Sequence, residues 1–188
     1  YNMSTSVTAE KVKNLNEIIN SEKTEINLWA KYKVLLKSDG LSSEEILSGV
    51  TEIKRFLILK VFTNDFNAMF LSPSMRIDRL WHLLLQFNRE YTDLCLQLSR
   101  PLILDREIIC SHIIAHNPLG QNDLEQNKRY NRTLQIYEEV FDQVAPVEFW
   151  RDEDINDTSK ADNTDNGRKR RISRNNDSTK HILEEEAG

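Results

Sequence analysis

The sequence predicts an all-α fold, an irregular bundle of four to six helices with a disordered C-terminal tail. Three observations predict it. Apolar residues recur at steps of three and four through most of the first 150 positions, the spacing of one helix face. Only 5 Gly and 4 Pro occur among 188 residues, too few for the many tight turns of an all-β chain. After Trp150, large apolar side chains almost disappear. The expected organisation is therefore a helical domain over residues 1–150 and a charged tail over residues 151–188.

The first helix is expected around residues 9–19, where Val12, Leu15, Ile18 and Ile19 share a face. A second is expected over about 24–37, its face traced by Ile26, Trp29, Ala30, Tyr32, Lys33 and Leu36. Asp39-Gly40 ends it, because glycine readily takes the left-handed conformation of a helix terminus. Ser42 and Glu45 then read as a capping box, each able to satisfy an orphan amide of the next helix. That third helix runs to about Phe62 and carries Ile46, Val50, Ile53, Phe56, Leu57 and Val61.

The fourth helix has the strongest pattern. Ser72-Pro73 supplies a cap and a proline at the first helical position. Ile77, Leu80, Leu84, Phe87, Tyr91, Leu94 and Leu98 follow at alternating steps of three and four, predicting one long amphipathic helix. Its middle, residues 80–85, is apolar on nearly every side except at His82, as in a helix with neighbours all round. Residues 100–120 are irregular, with a short helix or a strand over 107–115 and a turn at His116-Asn117-Pro118-Leu119-Gly120. A last helix over about 123–144 carries Leu124, Tyr130, Leu134, Tyr137, Phe141 and Val144. Pro146 stops it, and Phe149-Trp150 folds back as a hydrophobic anchor.

Composition narrows the function classes. Hydrophobic residues make up 39% and charged residues 29%, a real core diluted by an unfolded segment. The tail holds eight Lys and Arg against ten Asp and Glu, and too little apolar surface to offset the entropy of ordering. The formal net charge of −5 argues against a nucleic-acid partner without a local basic patch. No apolar run approaches the roughly 20 residues that cross a bilayer, so no membrane partner is expected. The segment Tyr1–Glu10 is polar and carries no apolar stretch of a secretory signal, although the sequence begins without Met. Cys95 and Cys110 form no disulfide framework and read as free thiols of a reducing compartment, with cytoplasmic and/or nuclear localisation expected. The sequon at Asn131-Arg132-Thr133 carries no weight without secretion.

Several residues fall in a telling order: Leu71-Ser72-Pro73-Ser74, Ile77-Asp78, Leu80-Trp81-His82, Tyr91, Leu94-Cys95, His116-Asn117-Pro118 and Arg129-Tyr130-Asn131-Arg132-Thr133-Leu134. With Tyr137, Phe141, Pro146 and Trp150, they resemble the helical module of the glycine-rich domain-containing protein family. The resemblance spans roughly residues 45–150, and Ile77-Asp78-Arg79-Leu80-Trp81-His82 is its most specific part. It implies a helical module without an agreed biochemical activity, some of whose plant members are tied to stress and developmental signalling. This chain lacks the glycine-rich region, so nothing that region does carries over. Many relatives have two adjacent histidines before the proline, and here Ala115 stands in place of the first, which weakens a metal argument built on that pair.

Read from the residues themselves, Asp78, Trp81, His82, His116 and Asn117 form a candidate polar cluster. On an ideal helix His82 points away from the Ile77/Leu84/Tyr91 stripe, with Asp78 one turn earlier. That spacing lets Asp78 accept a hydrogen bond from the imidazole and orient it, as a general base or metal ligand requires. The plainer alternative is a buried His82 that locks the loop bearing His116. A metal site, with zinc as the suited ion, would gather His82, Cys95, His112 and His116. No Cys-x-x-Cys pair supports it, and Cys95, one turn after Tyr91 on an apolar face, reads rather as a small core residue. Lys128, Arg129 and Arg132 form a basic patch for an anion, or else pair with helix carboxylates. No phosphate-binding glycine loop, nucleophile elbow or zinc-protease helix occurs, and no catalytic residue is assigned.

In the tail, Arg168-Lys169-Arg170-Arg171 is a compact basic run of the kind importins read as a nuclear address. Ser173 follows it in the context of a basophilic kinase substrate. A phosphate there would add about −1.5 to −2 charge beside the run. The leading expectation is a non-enzymatic helical scaffold that binds a protein partner, in signalling or stress response, with a regulatory tail and no cofactor. The alternative is a metal-binding domain, catalytic or not, using His82 and His116. Weak nucleic-acid binding through the tail comes third.

Overall fold

The computed structural model describes residues 5–100, 113–117 and 123–151, all within one compact unit of the chain. Among them the architecture is all-α, with seven helices and no strand. Helix α1 is Thr5–Ile19. Helix α2 joins three consecutive segments, Glu22–Thr24, a π-helical turn Glu25–Trp29, and Ala30–Ser38. Then come α3 (Ser43–Phe62), α4 (Met75–Leu84), α5 (Asn88–Ser99), α6 (Asp123–Phe141) and α7 (Val147–Trp150). The segments 101–112 and 118–122, the tail beyond Arg151, and the readings made on them (the 107–115 element, Cys110, His112, Pro118, the basic run and Ser173) lie outside the described residues.

Short-range chemistry sets the first helices. The Trp29 indole donates to the Ile19 carbonyl at 2.8 Å, closing the end of α1 while the ring fills the core. Ser21 caps α2, its hydroxyl accepting from the Thr24 N–H. At the other end Gly40 takes a φ of 92°, and the Leu41 N–H reaches back to the Leu36 carbonyl. The capping box at the start of α3 forms in both directions, between Ser42 and Glu45.

The centre of the bundle is α3, not the helix that the apolar run over 80–85 suggested. Every residue from Phe56 to Val61 is buried, Lys60 included. On α4, by contrast, Leu83 is half-buried and His82 is exposed. The reason lies in the neighbours: α3 contacts α1, α2, α4, α5 and α6. A close approach at Gly49 adds to this, because a Cβ there would stand 3.2 Å from a Leu80 methyl and 3.5 Å from the Phe149 ring.

The expected long fourth helix is two helices. Met75–Leu84 ends in a turn at Leu85–Phe87, and Asn88–Ser99 begins afresh. The Trp81 indole donates to the Tyr91 hydroxyl at 3.1 Å. In an unbroken helix those positions would stand about 15 Å apart along the axis, so the contact requires the chain to double back. The cap also moves. Ser74, not Ser72, accepts from the Ile77 N–H, and Pro73 precedes the helix instead of opening it.

At the C-terminal side, α6 stops at Phe141 because Asp142 takes a left-handed φ of 51°. Pro146 therefore heads α7 instead of terminating α6. Leu124 and Val144, expected on the apolar face, are exposed, while Tyr130, Thr133 and Tyr137 carry the contact. Phe149 and Trp150 are buried as the sequence suggested. Glu52, itself buried, fixes Trp150: one carboxylate oxygen accepts from the Trp150 indole (2.8 Å) and the Tyr137 hydroxyl (2.9 Å). The other accepts from Arg55 at 2.8 Å, so this buried charge is paired and hydrogen-bonded.

Candidate functional site

A cleft of about 170 Å³ opens between α4, the loop after α3, the segment 113–117 and the start of α6. Its wall owes its shape to Asp65. This buried carboxylate accepts from the backbone N–H groups of Met69, Phe70 and Leu71 at 2.8 to 2.9 Å. It also receives the Lys60 ammonium at 2.6 Å. Asn64 and Ala68 take left-handed φ values of 57°, which the ring of bonds around Asp65 holds in place. Thr133 completes the loop by accepting from the Ser72 N–H and donating to its carbonyl. Burial pushes the Lys60 ammonium below its ordinary range, against the opposing pull of Asp65.

On the facing wall, the ring of Trp81 orders the segment that carries His116. The Tyr91 hydroxyl accepts from the indole N–H and donates to the Ile114 carbonyl at 2.9 Å. The Ala115 N–H reaches the Phe66 carbonyl at 2.8 Å. His116 is thereby pressed edge-on against Trp81, with ring centres 4.8 Å apart. Its Nε2 donates to Asp78 Oδ1 at 2.8 Å. The His82 ring lies against it at 4.3 Å, its Nε2 3.8 Å from Asp78 Oδ2.

Asp78, His82 and His116 thus each offer one ligand atom, all within 4.8 Å of one another. Two bonds of about 2.1 Å in tetrahedral geometry would separate ligand atoms by about 3.4 Å; His82 Nε2 stands 3.8 Å from Asp78 Oδ2, and the 2.8 Å hydrogen bond from His116 to Asp78 Oδ1 is one that a bound ion would replace. Two imidazoles and a carboxylate suit a divalent transition metal such as zinc. Asp78 and His82 lie one turn apart on α4, and His116 comes from the segment 34 positions beyond His82.

The sequence-derived residues divide cleanly. Asp78, Trp81, His82 and His116 come together, and Asn117 lines the cleft at an exposed position. The expected Asp78–His82 hydrogen bond is replaced by one from His116, because His82 projects into solvent with half its side chain exposed. The buried His82 of the plainer reading is likewise replaced by an exposed one. Cys95 does not belong with the other metal candidates. It is buried beside Tyr91 and the Ile114 backbone, and burial pushes its thiol up to about 11. Asp78, not in that expected set, stands with His82 and His116 instead.

The basic patch also dissolves. Lys128 pairs with Glu125 at 2.8 Å on the surface. Arg132 donates to the Phe70 carbonyl at 3.1 Å and covers the Phe70 ring. Arg129, one position on from Lys128 and so about 100° round the helix, turns inward. It donates to the Ala68 carbonyl at 2.9 Å and lines the cleft.

Lys60 and Asp65 were missed by the sequence reading. The signal was present: a lysine inside Phe56-Leu57-Ile58-Leu59-Lys60-Val61-Phe62 sits where no solvated face exists. Among the described residues, no helix is long and apolar enough to cross a membrane. Comparison of the chain with known proteins finds no matching family model, no matching curated protein and no matching solved structure.

Proposed function

We propose that this chain is a helical binding module that holds one divalent transition-metal ion on Asp78, His82 and His116. The observation that carries the reading is the convergence of these three ligand atoms within 4.8 Å at the mouth of a cleft. The flanking contacts support it. Trp81 packs against His116, and the Ile114 and Ala115 backbone bonds hold the segment that carries it. Three protein ligands would leave a tetrahedral ion one further position, the arrangement of metal sites that meet a further ligand. Calorimetric titration of the chelator-treated chain with zinc tests it. One ion per chain, with affinity reduced at least tenfold in Asp78→Asn, is expected. Heat no larger than that of buffer would remove the reading.

A second reading is a protein-interaction scaffold, in signalling or stress response, governed by its tail. Its support is the exposed apolar side chains of the loop after α3 and the start of α4, where Met69, Phe70 and Met75 are 49%, 39% and 66% exposed and Met75 lines the cleft. Kinship with the glycine-rich domain-containing proteins, proposed on the Ile77–His82 element and the residues around it, fits either reading. The nuclear address at Arg168–Arg171, read by an importin and masked by phosphate on Ser173, is proposed from the sequence alone. A tagged full-length chain whose nuclear fraction is unchanged by Lys169→Ala with Arg170→Ala would eliminate it.

A further inference from the structure

We infer that the cleft takes a small carboxylate-bearing ligand, with Arg129 as its charge partner. The inference rests on the metal reading for a second contact, at the open position beside Asp78, His82 and His116. Its first contact stands independently, on the balance of charge within the cleft.

Four charged or chargeable groups of the cleft already have partners. The Lys60 ammonium is neutralised by Asp65. Asp78 receives His116 and stands beside His82. Arg129 is different. It is only 6% exposed, its Nε has no hydrogen-bond partner, and no carboxylate pairs with it among the described residues. Its one hydrogen bond among those residues runs from Nη1 to the neutral Ala68 carbonyl. Its charge also acts repulsively on Lys60. Glu125, one turn earlier on α6, feels the Arg129 charge but pairs with Lys128, so the buried guanidinium, which cannot shed its proton, keeps an unpaired Nε for an anion.

Chemistry and size then specify the ligand. Guanidinium presents a planar fork that matches a carboxylate. The cleft volume of about 170 Å³ lies below the range of drug-sized sites, so the ligand has few heavy atoms. A dicarboxylate satisfies both contacts, one carboxylate toward Arg129 and the other toward the metal.

Malonate is the probe, with uncharged malonamide as its isosteric control, followed by thermal unfolding of the full chain with and without zinc. Malonate is expected to raise the melting temperature in a saturable manner and malonamide to leave it unchanged. Arg129→Lys keeps the charge but loses the fork, and should weaken malonate about tenfold or more. Equal effects of malonate and malonamide on the zinc-loaded wild-type chain would overturn the inference, and that comparison needs no variant to fold. Zinc titration without malonate separates the two readings. If zinc fails to bind while malonate still stabilises the chain through Arg129, the anion site stands and the metal reading falls.

Discussion

Asp78 on α4 and His116, 38 positions later, share a hydrogen bond of 2.8 Å that links a helix to a loop segment at the mouth of the cleft. His82 takes part in the same cluster from an exposed position, touching mainly the His116 ring. Without metal, the two histidines should therefore differ sharply as structural residues.

His82→Ala should change stability by no more than about 0.5 kcal/mol, as surface substitutions do. His116→Ala removes a hydrogen bond to a carboxylate and the contact with Trp81, and should cost about 1.5–3 kcal/mol. Urea denaturation in the presence of a chelator checks both. Equal losses would mean that His82 is more firmly packed than its exposure indicates.

The Lys60–Asp65 pair carries the loop between α3 and α4. Asp65→Ala strands a buried ammonium and frees three backbone N–H groups, so a loss of about 3–5 kcal/mol is expected. Lys60→Met keeps the volume and leaves Asp65 its backbone donors, so it should cost clearly less. Chemical denaturation of the two variants side by side decides it, and the reverse order would contradict the account.

Cys95 should be chemically quiet in the folded chain. Burial raises its thiol from 9.0 to about 11, so at pH 9 only on the order of 1% is thiolate. Because the folded value is the higher one, its contribution to stability is fully present below pH 9. That contribution is lost as pH rises through about 11. Mass spectrometry of the Cys95 peptide after alkylation at pH 8.5 should find it unmodified, and fully modified in strong denaturant.

Much of the fold was legible because local chemistry dictated it. The capping box at Ser42 and Glu45 and the Gly40 terminus follow from residues only a few positions apart, and the burial of Phe149 and Trp150 from their own apolar surface. The break between α4 and α5 was not legible. No proline or glycine marks residues 85–87, and the three-four periodicity continues unbroken through them. The turn is set by a contact across it, Trp81 to Tyr91, which periodicity cannot register. The candidate site divides the same way. Asp78 and His82 are visible as an i, i+4 pair, but the choice of His116 as Asp78's partner depends on tertiary packing. The inward turn of Arg129 was equally hidden, since Lys128, Arg129 and Arg132 look alike in a charged helix.

The central claim is that Asp78, His82 and His116 hold a metal ion, and elemental analysis of the purified full-length chain tests it most directly. Close to one zinc or similar transition-metal ion per chain is expected in the wild type, with its loss in folded His82→Ala and Asp78→Asn. A wild-type chain that carries no metal after purification and takes up none from a zinc-containing buffer would contradict it.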